Sequence, residues 1–160
     1  RISLPLPGPE PSALTRLWFL FLCGKSVIPM ISSKRRGEFV INLVNKRLVR
    51  ATDYCGVKSG RDVDKFAETR LTPQASRYVK APGIEESPVN IECKVTEVKE
   101  LGSHDMFLAE VAAVSVDPRY MDESGKFRLN EPGLTAYSHG EYFELGEKIG
   151  KFGYSVKKKK

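Results

Sequence analysis

Six residues carry the side chains from which a site could be built. Lys65 follows Arg61 by four positions, in a segment (Ser59-Gly60-Arg61) that offers backbone N–H groups, a hydroxyl and positive charge. A helix start of that composition suits an anionic phosphate, and it also suits an ordinary capped surface helix. His104 follows Gly102-Ser103 and His139 precedes Gly140; they are the only two histidines, each beside a glycine that lets another group approach the backbone. A histidine at a strand end is commonly structural, so both readings stay open. Tyr137, like Tyr142, Phe143 and Phe152, is a core or interface ring by default, although a ring against a planar ligand is chemically sensible. Asn42 is the polar member of an otherwise apolar stretch.

Other chemistries lack their residues. No Ser/His/Asp or Cys/His arrangement can be assembled, no catalytic residue can be named, and Glu85-Glu86 reads as solvated surface. Cys23, Cys55 and Cys93 have no CxxC spacing and no histidine placed to complete a zinc set, so no metal site is expected and a reducing, cytoplasmic setting is. There is no GxGxxG after a strand and no GxxxxGK[ST]; a nicotinamide cofactor would have to bind transiently, without that fingerprint.

The elements that must position these residues follow from periodicity. Gly37 to Val44 reads as a strand with Phe39, Ile41 and Leu43 on one face and Asn42 on the other. Asn45 can cap a helix striped by Leu48, Ala51, Thr52 and Cys55 and ended by Gly56; Ser59 can cap a second, short helix carrying Val63, Phe66 and Ala67. Val89 to Thr96 alternates as a long strand with one wet face, and Met106 to Val116 is a nearly continuous apolar strand that needs cover on both faces. Asp122 to Gly125 is a turn, and Leu134 to Tyr137 a short strand. Long antiparallel strands with two helices inserted together predict a mainly β fold, a small barrel with helical excursions.

Charge and length limit the partners. A chain of 160 residues, 41% hydrophobic, supports one domain. Its formal charge is +6, but residues 37–156 hold 16 basic against 19 acidic side chains. The excess lies in the first 36 residues and in Lys157 to Lys160, read as a solvated tail, so no nucleic-acid groove is expected. The longest apolar run, Leu17 to Cys23, is far below the roughly 20 residues that span a bilayer, and no membrane association is expected.

The segments GEFVINL (37–43), ATDYCGVKSGRDVDKF (51–66), SPVNIEC (87–93), LGSHDMFLAEV (101–111) and AYSHGEYFELGEKIGKFGYSV (136–156) resemble the flavin reductase-like family of FMN-binding split β-barrels, in particular its flavoredoxin-like branch. The resemblance implies a homodimer of Greek-key barrels binding FMN non-covalently near the dimer interface. It implies that Lys65 is the basic residue near the flavin, His104 the strand-start histidine, and Tyr137-Ser138-His139 the C-terminal wall of the cofactor site, with Asn42 and Ser59 as further contacts. The expected function is an oxidoreductase passing hydride or electrons between NAD(P)H, or a redox partner protein, and flavin. The alternative is a non-catalytic FMN-binding module or electron carrier, inactive in this chain.

The N-terminal segment departs from that family, whose members carry a string like A-W-A-G-T-V-C-S-D-P-P-M-V-S-I-S-V-R there. When the codons behind Leu6 to Ile28 are read one base out of frame, Leu6-Pro7 permits Ala, Pro7-Gly8 permits Trp, Pro9 to Ala13 permits G-T-V-C, and Leu17 to Cys23 permits M-V-S-I-S-V-R. Residues 1–28 are therefore expected to be a frameshifted translation, 29–156 the split-barrel domain and 157–160 a lysine tail; Arg1 in place of Met fits an incomplete reading frame. Pro5, Pro7, Pro9 and Pro11 cannot donate to a ladder. The N-terminal strands are thus expected to be missing or disordered, FMN binding weak or absent, and exposed barrel edges prone to aggregation.

Overall fold

The computed structural model describes residues 2–4, 18–24 and 37–156. Its centre is the antiparallel pair β6 (Val89–Leu101) and β7 (His104–Val116), joined by the tight Gly102-Ser103 turn. β3 (Glu38–Asn42) adds to the free edge of β6 with Phe39 opposite Cys93 and Asn42 opposite Asn90. On the other edge, β7 is met by β1 (Ile2–Leu4) at its C-terminal end and by β2 (Trp18–Gly24) at its N-terminal end. Cys93, Ala109 and Val111 form the core, with Phe39, Ile41, Ile91 and Val114 packed around them.

Two N-terminal strands thus stand where missing or disordered ones were expected. The physical reason is that a ladder is made by backbone groups, not by particular side chains. Ile2-Ser3-Leu4 precedes every proline, and the apolar run that includes Trp18 to Gly24 is as apt for a strand as any other sequence of its hydrophobicity. The four prolines and the 29–36 junction lie outside the described residues, as does the lysine tail.

β7 is covered on both faces, as its nearly continuous apolar composition requires: Asp105, Phe107, Ala109, Val111 and Ala113 are buried and the residues between them half-buried. In β6 the expected wet face is dry at its start, because Asn90 and Glu92 are buried beside Val89 and Cys93. The loop between β4 (Pro73–Gln74) and β5 (Gly83–Ile84) folds over that face. The Glu92 carboxylate accepts the Arg77 N–H at 3.0 Å and the Tyr78 N–H at 2.7 Å, and Asn90 Nδ2 donates to Gln74 Oε1 and to the Ile84 carbonyl, each at 2.9 Å. A bulge between Glu92 and Cys93 turns the alternation over within the same stretch.

Beyond β3 the chain forms α1 (Val49–Val57) and α2 (Lys65–Thr69), and later a separate hairpin of β8 (Thr135–Ser138) and β9 (Glu141–Glu144). The hairpin is tied to the segment between β3 and α1: the Thr135 N–H donates to the Val44 carbonyl at 3.0 Å and the Lys46 N–H to the Gly133 carbonyl at 3.1 Å. Among the described residues no helix is long and apolar enough to cross a membrane.

Candidate functional site

α2 begins at Asp64, not at Ser59. The Asp64 carboxylate accepts the Phe66 and Ala67 N–H groups at 3.0 and 3.2 Å, whereas the Ser59 hydroxyl oxygen accepts the Arg61 N–H at 3.2 Å within the loop that precedes it. This cap places Lys65 at the first helical position, and its ammonium reaches back to donate to the Cys55 carbonyl at 2.5 Å. Cys55 lies in the last turn of α1, where unpaired carbonyls gather and a cation is favoured. The Tyr54 hydroxyl adds a second tie to α2, donating to Glu68 Oε2 at 3.4 Å; partial desolvation, then the Glu68 carboxylate, raises its pKa above the ordinary phenol value.

The β8–β9 hairpin meets α1 from another direction. Its turn is His139-Gly140, with φ of 48° and 83°, the two left-handed positions that a two-residue hairpin connection needs. His139 therefore serves the turn, holding a conformation that is uncommon for a residue with a side chain. Tyr137 pairs with Tyr142 across the ladder, their rings 5.1 Å apart and tilted by 58°. The Tyr142 hydroxyl donates to Asp53 Oδ1 at 3.3 Å, which docks the hairpin on α1. Partial desolvation, then the Asp53 carboxylate, lifts the Tyr142 phenol above its usual pKa. Tyr137 itself is largely exposed.

The structure thus gathers Lys65, Ser59, Tyr137 and His139 on elements joined through α1. Asn42 lies at the same end of the molecule, but its side-chain oxygen accepts the Ile84 N–H at 3.0 Å, a contact that seats the β4–β5 loop. His104 is placed elsewhere. It opens β7 opposite Leu101, with its Nδ1 2.9 Å from the Ser103 hydroxyl, whereas Asn42 is level with Asn90 and Ser115. Eleven residues of β6 separate those levels, ~36 Å along the strand at ~3.3 Å per residue.

Asp53 and Tyr142 were not singled out as a pair by the sequence. They lie 89 positions apart, and nothing local marks Asp53 among the polar residues of an exposed helix face. Among the described residues no group of three or more His, Cys, Asp or Glu side chains is arranged to hold a metal ion.

Residues 20–146 match the flavin reductase like domain. A protein of Pyrococcus abyssi is 31% identical over 133 residues, which are 81% of this chain and 76% of that protein. Among solved structures, the flavoredoxin of Desulfovibrio vulgaris (Miyazaki F) superposes with a TM-score of 0.77 at 30% identity, over 86% of this chain and 76% of that one. A split barrel domain protein of Shewanella frigidimarina superposes with a TM-score of 0.74 at 21% identity, over 86% of this chain and 70% of that one, a likeness of fold.

Proposed function

The chain belongs to the flavin reductase-like domain family, and from that premise we propose that it binds FMN non-covalently beside α1 and acts as an oxidoreductase between NAD(P)H, or a redox partner protein, and flavin. The observation that carries this reading is the meeting of unlike groups on one helix. The C-terminal end of α1 holds the Lys65 ammonium, and its Asp53 holds the hairpin that presents Tyr137.

The residues present fit the cofactor. A phosphate monoester calls for cations and N–H donors. The exposed 58–61 loop supplies Lys58 and Arg61, and Lys65 opens the helix that follows it. An ammonium has three donors, so holding the Cys55 carbonyl is compatible with meeting an anion. A flat ring system calls for an exposed aromatic face, and Tyr137 offers one.

When bound, FMN supplies the redox chemistry, taking a hydride or electrons from the donor and passing them on. The protein binds and orients. Lys65, Lys58 and Arg61 fix the phosphate end, Tyr137 covers ring surface, and the His139-Gly140 turn holds that tyrosine in place. His104 is too far along β7 to join this surface in one chain, and a contact with the cofactor would come from the partner copy in a homodimer. The free thiols of Cys55 and Cys93 accord with a reducing, cytoplasmic setting.

The test is to mix the purified protein with NADH and free FMN and follow NADH absorbance. Oxidation that depends on FMN supports a reductase with its own nicotinamide activity. Reduction only by a ferredoxin-type donor assigns the carrier role, and a protein with its N-terminal frame restored that gains no flavin on reconstitution refutes the proposal.

A further inference from the structure

The loop between β4 and β5 has its backbone held from within and its charged side chains left outside. The buried Glu92 carboxylate accepts the Arg77 and Tyr78 N–H groups at 3.0 and 2.7 Å, and Glu38 Oε1 accepts the Lys80 N–H at 2.6 Å. The Ser76 hydroxyl closes the base of the loop by donating to the Ala81 carbonyl at 2.6 Å, and Val79 is buried. Charge-assisted bonds to three of its amides fix the shape of this loop. Arg77, Tyr78 and Lys80 stand exposed on it.

The Arg77 guanidinium lies 5.3 Å from the centre of the Tyr78 ring, which is 49% exposed. Lys94, also exposed, is level with Glu38 across the β3–β6 ladder, so it shares the face on which Glu38 and Glu92 meet the loop. Its neighbour on β7 is the half-buried Glu110. Among the described residues none of Arg77, Lys80 and Lys94 is in an ion pair. Glu38 and Glu92 turn toward backbone amides, and three unpaired cations remain around one ring.

Few ligands match that set. An arginine stacked on an aromatic ring receives flat groups and phosphate oxygens alike, and a lysine receives phosphate as a point charge. One ring buries about 150–250 Å², enough for a single stacked base and well short of the ~800 Å² that a protein partner covers. A ligand with one flat face and a doubly charged phosphate fits. A nicotinamide donor has such an end, and in this sequence it must be held without the glycine-rich dinucleotide motif.

We propose that the 76–81 loop, with Lys94, binds an adenosine that carries a phosphate monoester, the base against Tyr78 and Arg77 and the phosphate met by Lys80 and Lys94. NADPH presents this group as its adenosine 2′-phosphate, and a free adenine nucleotide presents it too. Only the first source rests on the flavin reading, because the loop is complete without flavin.

The experiment is isothermal titration calorimetry of 2′,5′-ADP into the full chain without flavin, and into Tyr78→Ala and Lys80→Glu, with far-UV circular dichroism as the check on folding. Both substitutions keep the N–H group that Glu92 or Glu38 holds, so the loop keeps its anchors. The expected result is binding that weakens with salt and falls about tenfold or more in each variant, with inorganic phosphate binding about tenfold more weakly than 2′,5′-ADP. In FMN-loaded protein with its N-terminal frame restored, Lys80→Glu should raise the KM for NADPH relative to that for NADH; an unchanged ratio, with nucleotide binding still dependent on the loop, assigns the site to free adenine nucleotides. No binding of 2′,5′-ADP, equal affinity in the native chain and both variants, or equal affinity for inorganic phosphate would overturn the proposal. A frame-restored protein that binds 2′,5′-ADP and no FMN would refute the flavin reading and leave this site standing, so the two fail separately.

Discussion

Replacing Lys65 separates two roles that one ammonium is assigned. Its bond to the Cys55 carbonyl is a charge-assisted contact at the end of a helix, worth about 1.5–3 kcal/mol where such a bond is well made. Lys65 is half-buried, and screening by solvent brings the expected value to ~1 kcal/mol. Lys65→Ala should therefore lower the melting temperature by about 2–4 °C for a chain of this length. Lys65→Gln keeps a donor without the charge and should recover part of that loss. Flavin affinity should not follow the same pattern. A cation withdrawn from a phosphate removes about 1.5–3 kcal/mol of binding, roughly 10- to 150-fold in dissociation constant, and an amide does not restore it. Differential scanning fluorimetry gives the first quantity, and quenching of FMN fluorescence on titration gives the second. If Lys65→Gln binds FMN as the native protein does, the ammonium serves only to tie α2 to α1 and the phosphate assignment fails.

Three further expectations can be checked in parallel. Burial pushes the Cys93 thiol up to about 11, so it should resist iodoacetamide at pH 8 while half-buried Cys55 reacts, as read by peptide mass spectrometry. Because the folded state holds that proton more tightly than the unfolded one, stability from this group is intact below about pH 9 and is lost as the pH rises through 11; a flat urea midpoint over that range would contradict it. Glu92→Ala leaves two loop N–H groups without their carboxylate and should cost about 3 kcal/mol, lowering the melting temperature by roughly 6–12 °C, with Glu92→Gln intermediate; a change under 2 °C would show that the loop is held by other contacts. The frameshift proposed for residues 1–28 is decided by the gene's nucleotide sequence: codons that cannot yield M-V-S-I-S-V-R in the neighbouring frame eliminate it.

The parts of the fold that could be read in the sequence are those whose burial shows in composition alone. Met106 to Val116, nearly continuous in apolar residues, is buried or half-buried throughout, the cover on both faces that such a run needs. Asn90 and Glu92 were misread for the opposite reason. Their surroundings are made by a loop 6–16 residues earlier, and only the tertiary structure shows a carboxylate receiving that loop's amides. β9 escaped notice because Glu141-Tyr142-Phe143-Glu144 is too short and polar-ended to display a period, and it is a strand only because the His139-Gly140 turn folds it back on β8. At the site, Lys65 was legible from its helix start, although the wrong residue was assigned the cap: Asp64 lies directly before the helix and captures its amides where Ser59 cannot reach. The Asp53–Tyr142 contact had no local signature. The distance between His104 and Asn42 emerges only from strand register, which no single segment encodes.

The central claim, that this fold holds FMN beside α1, is tested most directly by a visible spectrum. Protein made from the gene with its N-terminal codons read in the neighbouring frame would be incubated with FMN and passed through gel filtration. Flavin absorbance should elute with the protein, near one FMN per chain, and fall in Lys65→Ala. A colourless protein peak, with all the flavin in the small-molecule fraction, would contradict the account.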